Sequence, residues 1–405
     1  MTRATPTAAP AAPAVRAAPA SPSTARAIND RLALRLLTDR GPLTAGQLKA
    51  LTGLSRPSVA DLVDRLTTAG LVEVAGEADD RRRGPNAKLY GIVANRAHLA
   101  ALDVRTDSAT AVVTDLLGTP LAETALPVDA PRDAVAALDR AAREAGAQGL
   151  HTVVVGAPGL VAPATGELRD TTGLPAWHRE LVGLLGRELP ARVLVENETN
   201  LAAVAEQRLG AAHDLDSFVL LWLGAGVGAA VVLDGRLRRG ASGGAGEIGF
   251  LPVPGTGGLP SATDCGGGFH ALAGAEAVAG LAAAHGLGLG AGAGAGAGAA
   301  AAVSAAVAGG GVGGAFLDAL AERLALGAAA VAAVLDPGCV ILGGEIGLAG
   351  GSALAERVAR RLATLTPVPT EVRATALGGA AVLTGARLAA REAAQDLLFG
   401  PTPHP

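Results

Sequence analysis

The chain has 405 residues, half of them apolar and only 2% aromatic, so it can hold two or three domains whose cores Ala, Val and Leu must build. Its net charge of −4 divides unevenly, with 11 Lys and Arg against 8 Asp and Glu in residues 26–90 and 20 against 29 in residues 91–405. A mildly basic front on an acidic body fits a nucleic-acid reader attached to a sensor or enzyme, although a local balance of +3 decides little alone.

In chain order, residues 1–25 are mostly Ala, Pro, Ser and Thr, with Arg3 and Arg16, and have no apolar stretch. They do not read as a secretory signal, and disorder is expected. A first domain is expected over 26–93. Its opening helix runs from Ser23 to Asp39, with Ile28, Leu32 and Leu36 as the apolar stripe. Gly41-Pro42 ends it. A second helix starts at Thr44, where Thr44-x-x-Gln47 has the spacing of a capping box, and its inner face is expected to be Leu48 and Leu51. Thr52-Gly53-Leu54 reads as a tight turn. Ser55 then reads as an N-cap, with Pro57 in the first turn of a third helix. Val59, Leu62, Val63 and Leu66 give that helix its buried face, and Gly70 stops it. Leu71-Val72-Glu73-Val74 reads as a strand and Lys88 to Val93 as its return, with Arg81, Arg82 and Arg83 at the tip of the loop between them.

Two short helices around a glycine turn form a helix-turn-helix, whose second helix enters the major groove of double-stranded DNA. The basic hairpin makes it an all-α-plus-wing, winged helix-turn-helix domain. Ser55, Arg56, Ser58 and Arg65 are the candidate groove residues, with Asp61 beside them. Arg81, Arg82 and Arg83 are placed to enter a narrow minor groove or hold phosphates. The alternative is a small helical domain for protein contacts, with the arginines in a solvated loop. The ordered combination of capping box, turn, amphipathic helix and basic tip favours DNA.

From about His98 the pattern changes, and a second domain is expected over 98–397. Leu99–Val104 and Ala109–Asp115 read as a hairpin. Buried strands at Thr152–Val155, Val193–Val195, Phe218–Leu223, Gly228–Leu233 and Val340–Leu342 then alternate with helices, which argues for an α/β fold. Residues 286–317 contain no charge, but they are mostly Gly and Ala and too poor in Leu, Ile and Phe to insert in a membrane. The Gly/Ala stretch at 286–300 reads as a mobile surface loop running into a helix. The two cysteines, Cys265 and Cys339, cannot form a disulfide framework and fit a reducing, cytoplasmic setting.

Several ordered motifs resemble the ROK family of repressors and sugar kinases, within the actin-like ATPase superfamily. They are Val155-Gly156-Ala157-Pro158-Gly159, Glu196-Asn197-Glu198-Thr199-Asn200, Gly224-Ala225-Gly226-Val227-Gly228, Ala245-Gly246-Glu247-Ile248-Gly249, and Leu335-Asp336-Pro337 through Gly343-Gly344. The front domain looks like that of ROK repressors. The resemblance implies a sugar-kinase-like body, and it also exposes departures. Family kinases carry a phosphate loop similar to Asp-x-Gly-Gly-Thr, where this chain has Asp103-Val104-Arg105-Thr106-Asp107. Both glycines are gone, and Asp107 sets a negative charge where a hydroxyl faces phosphate. Ala225 stands where the second loop usually has Thr; the glycines around it serve either the turn or a residual phosphate contact. The family's catalytic Asp is Glu198 here, and moving a carboxylate by about 1 Å costs on the order of 100-fold in rate.

By the same resemblance Gly159, Asn197, Glu198 and Glu247 are the candidate effector-binding residues. Phe250 replaces a histidine that contacts sugar and often zinc; it can stack on a sugar or fill the pocket. The three-cysteine zinc cluster is reduced to Cys265, with Asp264 and His270 nearby, so no metal is expected. The expectation is therefore a cytoplasmic homodimeric transcriptional regulator, a repressor of carbohydrate-related genes that reads an inverted repeat, with a sugar or sugar derivative as effector, no cofactor and no catalysis. Two alternatives stay open. One is an active sugar kinase with an accessory DNA-binding arm, and the other is a regulator without any effector.

Overall fold

The computed structural model describes residues 22–78, 87–169, 175–288 and 295–400. The tail before residue 22 and the run Arg81-Arg82-Arg83 lie outside them. The described residues group into two compact units, one up to Val93 together with the last residues from Asp396, and one from Ala94 to Gln395.

The first unit is built from α1 (Pro22–Arg40), β1 (Leu43–Thr44), α2 (Ala45–Thr52), α3 (Arg56–Thr68), β2 (Val72–Glu77) and β3 (Lys88–Ile92). Its antiparallel sheet runs β1-β3-β2. The local signals fix the helix ends as expected. The Thr44 hydroxyl accepts from the Gln47 N–H and the Gln47 side chain accepts from the Thr44 N–H, closing the capping box. Gly53 caps α2 in the left-handed conformation. Ser55 caps α3 by accepting from the Ser58 N–H, and Val59, Leu62, Val63 and Leu66 are all buried, where α3 packs on α1 and α2.

Two inner faces depart from the sequence reading. On α1 the buried side chains are Ala33, Leu34 and Leu37, whereas Ile28 is 59% and Leu32 40% exposed. Leucines fall at 32, 34, 36 and 37, so two apolar stripes compete on the helix, and packing selects one of them. On α2 Leu48 is buried and Leu51 is exposed. The strand β1 is too short to leave any periodic trace in the sequence.

The second unit has two lobes with one plan. The first contains β4 (His98–Val104), β5 (Ala109–Thr114), β6 (Pro120–Ala125), α4 (Pro131–Glu144), β7 (Leu150–Ala157), α5 (Ala176–Glu188), β8 (Arg192–Asn197) and α6 (Glu198–Leu209). The second contains β9 (Phe218–Leu223), β10 (Val227–Leu233), β11 (Arg236–Arg238), α7 (His270–Ala273), α8 (Ala275–Ala284), α9 (Ala295–Gly309), α10 (Val312–Leu335), β12 (Cys339–Gly343), α11 (Gly344–Leu362) and β13 (Glu371–Ala374), after which α12 (Ala381–Leu398) packs back on the first lobe, with Val382 against Gly156 and Gly385 against Leu201. The sheets are ordered β6-β5-β4-β7-β8 and β11-β10-β9-β12-β13. In each, the first three strands are antiparallel, and the last two join the first in parallel. This is the α/β body the alternating pattern predicts. The strands that the sequence reading misses, β6, β11 and β13, are edge strands or short, and have mostly exposed or half-buried side chains. Without an apolar run they leave no signal.

The Gly/Ala segment is the largest correction. Residues 289–294 lie outside the described part. From Ala295 on, however, the chain is the helix α9, and Ala299, Ala302, Val303 and Ala306 on its inner face are at most 2% exposed. They belong to the core of the second lobe, with Phe269 and Phe316. Alanine has the highest helix propensity and fits where helices approach closely, so a stretch of low complexity is here a packing element. Among the described residues no helix is long and apolar enough to cross a membrane.

Candidate functional site

The first unit offers one face of α3. Arg56 and Ser58 are exposed at its start, next to N–H groups of the first helical turn that have no partner within the helix. Ser55 is also exposed, but its hydroxyl is engaged as the cap and lies 2.8 Å from that of Ser58. Arg65 is engaged within the unit: its guanidinium bonds Asp30 of α1 at 2.6 Å and also pairs with Asp61. The Asp30 bond and the neighbouring carboxylates raise its pKa above the ordinary value against a smaller opposing effect of burial. Arg65 therefore ties α3 to α1.

In the body, the first turn of each lobe comes to the same place. The β4–β5 turn and the β9–β10 turn line one cavity of about 590 Å³, together with the start of α6 and the start of α11. Its wall includes Asp103, Arg105, Asp107, Glu198, Trp222 and Glu345. Arg105 reaches across it. Nε and Nη2 donate to Asp103 Oδ2 at 3.1 and 3.0 Å, Nη1 to Glu345 Oε1 at 3.3 Å, and Nη2 to the Gly379 carbonyl at 3.3 Å. The buried His178 ring holds the turn from behind through Nε2 on the Arg105 carbonyl at 3.0 Å. Burial lowers its pKa, which favours the neutral ring.

The opposite turn is shaped by Glu345. A Cβ on Gly224 would run into the Glu345 carboxylate, so this glycine makes room for an internal side chain. Gly344, at φ +74°, brings the start of α11 onto β9, where a Cβ would meet the Leu223 carbonyl. The buried Glu206 of α6 accepts the Ala376 and Leu377 N–H groups at 3.1 Å and the Thr375 hydroxyl, which fixes the loop leading to Gly379.

Of the expected effector residues, the structure joins three. Asn197 caps α6: its oxygen accepts from the Thr199 and Asn200 N–H groups at 2.9 and 3.3 Å, and Nδ2 donates to the Gly159 carbonyl at 3.1 Å and to Glu198 Oε2 at 3.0 Å. Its hydrogen-bonding capacity is thus spent inside the chain, orienting Glu198. The Glu198 carboxyl is pushed up to about 7, first by burial and then by the charges of Asp103, Glu247 and Glu345, against backbone hydrogen bonding. Glu247 itself is exposed, and Phe250 is exposed rather than filling the cleft. Among the described residues no three His, Cys, Asp or Glu side chains are grouped to hold a metal ion.

Residues 99–393 match the profile of the ROK family. The chain belongs to the ROK family. Residues 28–83 match the MarR family, in keeping with the winged helix of the first unit. Over 238 residues the chain is 26% identical to the DNA-binding transcriptional dual regulator NagC of Escherichia coli K12, which covers 56% of this chain and 57% of that protein. The chain thus matches little more than half the length of that curated relative. By structure it is similar to a ROK family transcriptional regulator, a homolog of the E. coli MLC protein, with a TM-score of 0.73 and 21% identity over 93% of this chain and 98% of the other. The body is also similar to a ROK family glucokinase from Streptomyces griseus solved with glucose and AMPPNP, with a TM-score of 0.59 and 28% identity over 73% and 100% of the two chains.

Within this ROK body, sequence reasoning names Asp103 and Glu198 and misses Glu345, His178 and the second role of Arg105. The signal for Glu345 is present, since it directly follows Gly343-Gly344. Arg105 is legible as a lost glycine, but its two carboxylate partners lie 2 and 240 residues away, and the latter spacing carries no local pattern.

Proposed function

We propose that the chain is a DNA-binding transcriptional regulator whose ROK body senses a small carbohydrate-like ligand and does not transfer phosphate. The observation that carries this reading is the exposed start of α3, with Arg56 and Ser58 on a capped helix of a winged helix-turn-helix. The loss of kinase activity is supported by the cleft, where Arg105 and Glu345 take up the space beside both turns. A triphosphate there would face Asp103, Asp107, Glu198 and Glu345 against one arginine, a net repulsive field. Gly159, Asn197, Glu198 and Glu247 supply the polar surface for the ligand, with Asn197 acting through Glu198. Two copies related by a two-fold axis would read an inverted repeat, in the cytoplasm. Arg81, Arg82 and Arg83 would add phosphate or minor-groove contacts.

Genome-wide mapping of bound sites, followed by gel shifts on the recovered fragments, tests this reading. A small set of inverted repeats that outcompete bulk DNA is the expected result. Binding that is independent of sequence and lost with salt would defeat it. ATP-dependent turnover of glucose in a coupled assay would revive the kinase reading.

A further inference from the structure

The four residues expected to meet a ligand come from both lobes, and one contact draws the fourth towards the other three. Gly159, Asn197 and Glu198 belong to the first lobe, whereas Glu247 ends a glycine-rich loop, residues 240–246, that follows β11 of the second. The Glu247 charge is nonetheless felt at Glu198. The loop is held at three points. At its start Arg239 reaches Glu196 of β8, with Nε and Nη2 both 2.7 Å from Glu196 Oε2. In its middle Gly243, at φ +88°, lies so close to the turn after Gly159 that a Cβ would collide with the Val161 carbonyl. At its end the Gly246 carbonyl accepts from the Ala229 N–H of β10 at 2.8 Å. The loop also closes on itself, the Ala245 N–H donating to the Arg239 carbonyl at 3.2 Å.

Glu196 carries the contact onwards. Its side chain is only 13% exposed, and its other oxygen, Oε1, accepts from the Asn197 N–H at 3.0 Å and from Asn200 Nδ2 at 2.9 Å. Asn197 in turn donates to Glu198. One carboxylate thus joins Arg239 of the second lobe to the turn that presents Asn197 and Glu198 in the first. A largely buried carboxylate that loses its cation keeps the cost of its burial, and the groups bonded to it must adjust. Arg239 itself is 49% exposed, so the pair adds little to global stability. That separates a role in positioning from a role in folding.

We infer that Arg239 is a positioning residue of the ligand site: its ion pair with Glu196 sets the 240–246 loop against β8 and so fixes Glu247 of one lobe relative to Asn197 and Glu198 of the other. This rests on the reading of the body as a carbohydrate sensor and adds the contact that keeps the two halves of its site in register. Arg239 acts through Glu196 and through the loop backbone. Its planar fork places two N–H groups on one oxygen, which a lysine ammonium on a flexible stem does not reproduce.

Hydrogen exchange and calorimetric titration of the full-length protein test this with Arg239→Gln, which keeps polar bulk and removes the charge. In the ligand-free variant, amide exchange should rise about threefold or more in 240–247 and also in 196–200, while β12 and the urea midpoint stay as they were. Glucose, N-acetylglucosamine and xylose serve as probes. Whichever of them the unaltered protein binds should bind Arg239→Gln about tenfold more weakly, and Arg239→Lys should recover part of that loss. Faster exchange in the loop alone would overturn the inference, since Glu196 would then not carry the coupling. Undiminished sugar binding by Arg239→Gln would overturn it too and leave the sensing reading standing. Weaker binding with protection lost throughout the body would also overturn it, because that marks a merely structural role. An unaltered protein that binds none of the three sugars would sink the sensing reading and the inference with it.

Discussion

Among the arginines held between two carboxylates, Arg65 of the first unit and Arg105 of the second differ in what holds them. Arg65 lies on the surface of α3, paired with Asp30 of α1 and with Asp61 one turn away. Arg105 lies in the cleft of the body, paired with Asp103 two residues away and with Glu345 at the start of α11. The two arginine side chains are similarly exposed, at 32% and 37%, but the side chain of Asp30 is 23% exposed and that of Asp103 only 9%. Water can take over from Arg65 and cannot easily take over from Arg105. The same chemical motif is thus a surface brace in one unit and a strut of the interior in the other.

The contrast predicts unequal responses, and the largest comes from the backbone that places Glu345. Gly344→Ala must accept both a left-handed φ and a Cβ against the Leu223 carbonyl. It should destabilise the body by about 3 kcal/mol or prevent its folding, read as a loss of soluble yield or a lower urea midpoint. Arg105→Ala comes next. It leaves Asp103 buried with neither oxygen paired, at a cost of about 2 kcal/mol, and Asp103→Ala in the same chain should recover part of it. If Arg105→Ala is no more harmful than Arg65→Ala, burial does not distinguish the two forks and the contrast fails.

Glu198 sharpens the comparison through pH. Its folded pKa of about 7 stands above the ordinary value of 4.5, so between those two values the folded protein keeps a proton that the unfolded chain has released. Stability should therefore fall as pH rises through that window and level off above it. Glu198→Gln keeps an acceptor for Asn197 and removes the titration. It should be close to neutral at pH 4.5 and stabilising by about 3 kcal/mol at pH 8. A flat difference between the two proteins across this range of urea titrations would mean that Glu198 is solvated and carries its charge freely.

How much of this was legible in the sequence follows from how far apart the partners lie. Several features fixed within four residues can be read: the capping box at Thr44, the Ser55 cap and the buried face of α3. The same holds for the long apolar strands, whose burial imposes their composition. What fails is whatever depends on a choice made in three dimensions. The α1 leucines offer two faces, and only packing selects between them. Ala299 to Ala306 look featureless because close helix packing asks for small side chains. In the cleft, Asp103 and Glu198 are legible from family motifs, whereas the occupation of Gly224 by Glu345 is a contact between distant segments. A retained glycine alone could not have told phosphate from carboxylate.

The smallest effect expected is also the one that separates structure from recognition on α3. Arg65→Ala removes a half-exposed ion pair and should cost about 1 kcal/mol of stability. Because its guanidinium faces α1, specific DNA binding should change little, by less than about threefold. Arg56→Ala, in contrast, touches no ion pair in the described structure and should leave stability unchanged. If Arg56 makes a base contact, its loss should weaken binding to a mapped site by about 1–3 kcal/mol while sparing bulk DNA. Gel shifts on both variants against one specific and one random duplex decide the matter. An Arg65 variant that loses discrimination as strongly as the Arg56 variant would mean that the Asp30 pair opens on DNA. Arg65 would then have to be counted among the groups that read the groove.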